Sequence, residues 1–142
     1  MDHYRVLYGE TDIINLVRNA NNSGMDSLIA ALVVFDSPRS LADTLFIPRL
    51  KELGYHYDVI PREKFNALAA AFDGNNYMDP DVCSSEPMYT DLIIFKDHSR
   101  VTGMAKFSLG CGNNYSIEGK IGNARNGVQV VDIKKLRALL PL

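Results

Sequence analysis

The sequence predicts one α+β domain: a helical N-terminal half with one or two strands, and a C-terminal antiparallel β-meander over about 91–132, closed by a short helix. Three observations carry this prediction. The stretch VTGMAKFSL alternates with period two, and so does YSIEGKIG. Turn-forming residues punctuate that region at GCGNN and NARNG. The last apolar run, IKKLRALL, returns to helical spacing directly after an aspartate. Alternation places successive side chains on opposite faces of a sheet, and residues tolerant of positive φ allow tight hairpins.

From the N-terminus, HYRVLY at 3–8 has strand composition but poor alternation, and predicts a first strand. Thr11 can cap a helix over the following DIINLVRNAN, with NNSG at 21–24 as its stop. DSLIAALVVF reads as a helix over 26–35, although VVF before DSP also suits a buried strand. Ser40 opens the capping pattern S-L-A-D, followed by apolar positions Leu41, Leu45, Phe46, Leu50 and Leu53; Pro48 must kink or split that helix. Asp36, Ser37, Arg39 and Ser40 surround this expected helix start, where free amides could hold an anion, but capping accounts for them without a ligand. HYDVI at 56–60 predicts a strand. Pro61 then takes the first position of a helix through PREKFNALAAAF. DLIIFKD at 91–97 is the next strand, with His98 in the turn after it. VQVVD closes the sheet, and Asp132 caps the final helix.

Composition bounds the function. The chain has 142 residues, is 46% hydrophobic and 23% charged, and has a formal net charge of -2, so nothing in the average attracts nucleic acid or an anionic membrane. The longest apolar run, LIAALVVF, has 8 residues and cannot span a bilayer. No basic and apolar leader opens the chain, and Cys83 and Cys111 cannot build a disulfide framework or, with His3, His56 and His98 scattered, a zinc site. These features predict a cytoplasmic protein. The charge is uneven: residues 1–87 hold 7 Lys/Arg against 13 Asp/Glu, while 88–142 hold 8 against 4.

The densest acidic stretch is DGNNYMDPDVCSSEPMYTD, residues 73–91, with five acids (Asp73, Asp79, Asp81, Glu86 and Asp91) and no Lys or Arg. Such a length without periodicity predicts either a functional or a mobile connection. Concentrated carboxylates attract a basic partner and speed encounter with it. Asp73, Asn75, Asp79 and Asp81 are spaced like alternate oxygen donors, but Met78 and Ser84 stand where a calcium loop needs glycine and glutamate. The function expected is therefore non-enzymatic: a protein-interaction or regulatory module, conceivably an inhibitor, binding through Asp73, Asp79, Asp81, Glu86 and Asp91 to an unidentified protein with a basic surface, with no cofactor.

The alternative is a metal-dependent phosphodiesterase. Glu118 and Lys120 put an acid and an amine on one strand face, the arrangement with which restriction-type nucleases hold magnesium and activate water, and Asp91 or Asp97 would complete the magnesium site. The bland reading of the same residues is a cross-strand ion pair with Lys106 on a wet face. The cations Lys96, Arg100, Lys106, Lys120, Arg125, Lys134, Lys135 and Arg137 give weak support for nucleic acid, because no aromatic interleaves them. A homo-oligomer built through an exposed strand edge is the third possibility.

Overall fold

A computed structural model describes residues 1–7, 10–19, 24–35, 37–72, 89–109, 113–117, 129–130 and 132–140. Its strands are β1 (Asp2–Arg5), β2 (His56–Val59), β3 (Asp91–Asp97), β4 (Arg100–Phe107), β5 (Asn113–Ile117) and β6 (Gln129–Val130). Its α-helices are α1 (Glu10–Asn19), α2 (Gly24–Val33), α3 (Phe65–Phe72) and α4 (Ile133–Leu139). The described strands form one six-stranded sheet in the order β2-β1-β3-β4-β5-β6, and every neighbouring pair is antiparallel. Mixed α and β structure is thus correct, but a helical N-terminal half is not. β1 is made from residues 2–5 and lies inside the sheet, between β2 and β3.

Both faces of the central strands β1, β3 and β4 are covered. On one, Leu92, Ile94, Met104 and Tyr4 pack with Ile29, Leu32 and Val33 of α2 and with Phe46, Leu50, Leu53 and Tyr55. On the other, Ile93, Ala105 and Phe107 pack with Leu68 and Phe72 of α3 and Leu136 of α4. α1 lies on α2 as an outer element. The expectation of one covered and one wet face across 101–109 therefore fails for β4: Gly103 through Phe107 are all buried, on both faces. The non-alternating run Leu92–Ile94 is the sequence signature of this double burial.

Local chemistry explains most element boundaries. Residues 24–33 are helical, which resolves the ambiguous 26–35 stretch, and Gly24 opens this helix instead of ending the one before. No long helix forms between Ser40 and Leu53. Ser40 Oγ accepts from the Ala42 amide at 3.1 Å in a turn, and Pro48 leaves only a short 3-10 helix, Ile47–Arg49. The anion site imagined at a helix start near Ser40 has no helix to supply it. Gly54, at φ 85, ends the turn series before β2. Pro61 stands one residue ahead of its expected place, as the cap of a 3-10 turn over Arg62–Lys64 that runs into α3. Asp97 pairs with Arg100 around a two-residue turn in which His98 adopts φ 54, so His98 is a turn residue. The β3–β4 register shifts between Phe95 and Lys96. Asp132 caps α4 by accepting from the Lys135 amide at 3.0 Å, a bond that holds its carboxyl below the usual range.

Candidate functional site

Because β1 is an interior strand, its alternating side chains are delivered to both faces of the sheet, and the buried Asp91 of β3 meets them inside. His3 and Arg5 point to the α3–α4 side. There Asp91, the first residue of β3 and 2% exposed, accepts from Arg5 Nε at 2.7 Å and from His3 Nε2 at 2.9 Å through one oxygen. Thr90 Oγ1 donates to its other oxygen at 2.8 Å. A carboxylate that only accepts requires a proton on His3 Nε2, which leaves Nδ1 as the other ring nitrogen. That Nδ1 is buried and has no hydrogen-bond partner among the described residues. The His3 ring stacks near Phe107, centroids 6.4 Å apart, and Phe107 meets Phe72 edge to face. A paired histidine and aspartate can move protons in principle. Here both side chains are 1% exposed, and the cluster ties β1 to β3.

Asp2 and Tyr4 point to the α2 side. Asp2 accepts from Tyr57 of β2 at 3.2 Å and from Lys96 Nζ of β3. Tyr4 and Tyr57 rings lie 5.1 Å apart, with Lys51 over the Tyr57 ring at 4.8 Å. Burial, then the charges of Asp2 and Tyr57, push the Tyr4 hydroxyl from its ordinary 10.0 up to about 12. Burial and Asp2 raise the Tyr57 hydroxyl as well. Between pH 10.0 and about 12 the unfolded chain releases a proton that the folded Tyr4 retains. The stabilisation is therefore complete below that window and is lost as pH rises through it. The loss is on the order of 2 kcal/mol. Urea titrations across this window should show that fall, and Tyr4→Phe should flatten it; an equally steep fall in Tyr4→Phe would place the cause elsewhere.

A third polar group enters from β4. Lys106 is 2% exposed and lies on the α2 side of the sheet. Its Nζ donates to the Leu32 carbonyl at 3.0 Å and the Phe35 carbonyl at 2.5 Å, and sits 4.5 Å from the centre of the Tyr89 ring. Helix α2 ends at Val33, so the Leu32 oxygen belongs to its C-terminal turn, and the Phe35 oxygen, which also accepts from the Ser37 amide at 2.8 Å, lies just beyond it. Lys106 is a buried helix cap; a wet surface pair with Glu118 is not where the structure puts it.

Of the site residues the sequence singles out, Asp91 and Asp97 are among the described ones. Asp91 is interior. Asp97 is exposed at the far end of β3, bonded to His98 at 2.9 Å. Asp73, Asp79, Asp81, Glu86, Glu118 and Lys120 lie outside the described residues, as do Cys83 and Cys111. Among the described residues, no three His, Cys, Asp or Glu side chains gather as a metal site would require. No described helix is long and apolar enough to cross a membrane. Sequence reasoning missed His3, Arg5 and Lys106. The available signal was a pair of polar residues two apart in a strand-like stretch, matched by an acid opening another strand. No family model, curated protein or solved structure matches the chain.

Proposed function

We propose that the chain is a non-enzymatic interaction module that recognises a basic protein surface through the acidic segment joining α3 to β3. One observation carries the reading: both ends of that segment are tied to the core. At one end the Ala71 carbonyl accepts from the Asp132 amide at 3.0 Å; at the other the Tyr89 amide donates to the Val33 carbonyl at 2.7 Å. Between them Asp73, Asp79, Asp81 and Glu86 are unrelieved by any Lys or Arg. Asp91, engaged by Arg5 and His3, contributes to the anchor and not to the contact. Tethered carboxylates compete with phosphate for a basic surface, so the regulatory form of this activity is inhibition of a phosphate-binding protein in the cytosol.

The test is affinity capture from the native host at low and high salt, with the wild type beside the triple variant Asp79→Asn, Asp81→Asn, Glu86→Gln. Capture by the wild type should weaken with salt, and the triple variant should lose about tenfold in affinity together with most of the salt dependence. Equal capture by both proteins overturns the reading. Metal-dependent cleavage of DNA or RNA by the same preparation, abolished by Glu118→Gln, would replace it with the phosphodiesterase.

A further inference from the structure

We propose that two copies of this chain join through β2, edge to edge and antiparallel, in a register fixed by His56 and Asp58. Among the described strands β2 is the outermost on its side of the sheet, and all four of its residues are exposed, Tyr57 by 37% and Val59 by 62%. The direction of its backbone groups follows from two bonds. The Ile60 amide donates to the Met1 carbonyl, and the Val6 amide donates to the Thr90 carbonyl, both at 3.0 Å. Alternation in an antiparallel ladder then makes His56, Asp58 and Ile60 the residues bonded to β1. Tyr57 and Val59 aim their N–H and C=O groups out of the sheet, at the open edge.

A two-fold axis can bring these outward residues together in three ways. Pairing Tyr57 with Val59 of the second copy sets Asp58 directly against Asp58 of that copy, like charges at the closest cross-strand spacing. Pairing Val59 with Val59 sets Tyr57 opposite Pro61, which has no N–H to donate. Pairing Tyr57 with Tyr57 avoids both faults. It exchanges two backbone bonds at the axis and places each His56 against Asp58 of the other copy, a complementary pair repeated twice by symmetry. The two tyrosine rings meet on the α2 side, and the polar pairs lie on the other. A ring N–H set against a carboxylate, in place of two facing carboxylates, thus selects both the occupant and the register. This contact is independent of the acidic segment.

Sedimentation equilibrium of the full chain tests it. The wild type should be a reversible dimer. His56→Asp should raise the dissociation constant by about tenfold, because two repulsive pairs replace two attractive ones. Adding Asp58→Lys to His56→Asp should restore dimerisation, since an ammonium then faces a carboxylate at each of the same positions. All the altered side chains are exposed, so circular dichroism should be unchanged in each variant. A wild type that stays monomeric up to the solubility limit overturns the proposal, and so does a dimer indifferent to His56→Asp or not rescued by the double change.

Discussion

Asp91→Ala is expected to lower the free energy of unfolding by about 3–5 kcal/mol, the usual cost of breaking a buried ion pair from one side. The magnitude follows from how many donors converge on one carboxylate. Arg5 and His3 share Oδ1 and Thr90 takes Oδ2, all within 2.9 Å. Alanine leaves the buried His3 Nε2–H without its acceptor and removes the countercharge beside Arg5 in a place that water barely enters. Asp91→Asn keeps the shape and one accepting oxygen while losing the charge, so it should cost about 2 kcal/mol. Replacing the group together, His3→Leu, Arg5→Met and Asp91→Leu, should cost less than Asp91→Ala alone, because no polar group is then stranded. Urea unfolding with an unchanged m-value measures all three. If Asp91→Ala and Asp91→Asn both fall within experimental error of the wild type, the cluster does not hold β1 to β3.

How much of this could be read from the residues depends on which physical signal each element carries. Strands β2 to β5 and the cap at Asp132 were legible because alternation, turn residues and an N-cap aspartate are local properties. The placement of β1 was not. HYRVLY alternates poorly because both its faces are buried, so Tyr4 and Val6 face one core while His3 and Arg5 meet Asp91 on the other side. Local pattern reports how many faces are covered only when polar residues mark the open one. In β4 the same ambiguity hid the double burial, since Lys106 looks like a marker of solvent while its ammonium is spent on carbonyls. The candidate site suffered in the same way. Asp91 counted both as the last of five acids in a loop and as the first residue of a strand, and only the pairing with β1 and β4 shows that strand to be interior.

The second large effect is predicted at Lys106, and it differs from the first in being local. Lys106→Met keeps the length and most of the volume of the stem, which is packed under α2, and removes only the ammonium. The Leu32 carbonyl, in a last turn without intrahelical partners, then loses this donor, and the Phe35 carbonyl just beyond keeps only the Ser37 amide. Hydrogen bonds to a charged donor are each worth more than neutral ones, and the favourable cation at the negative end of the helix dipole goes as well. Together these predict a loss of about 2–3 kcal/mol. Lys106→Ala adds the cavity left by the stem and should exceed it. The location of the damage is the sharper readout. Tyr89 lies under the ammonium and its amide donates to the Val33 carbonyl, so the helix end and the start of the β3 segment are held by one group. Amide exchange in Lys106→Met should therefore quicken at Tyr89 and over the last turn of α2, while the β1–β3 ladder keeps its protection. Uniform acceleration through the whole sheet would mean that Lys106 supports the core at large and does not act as the cap.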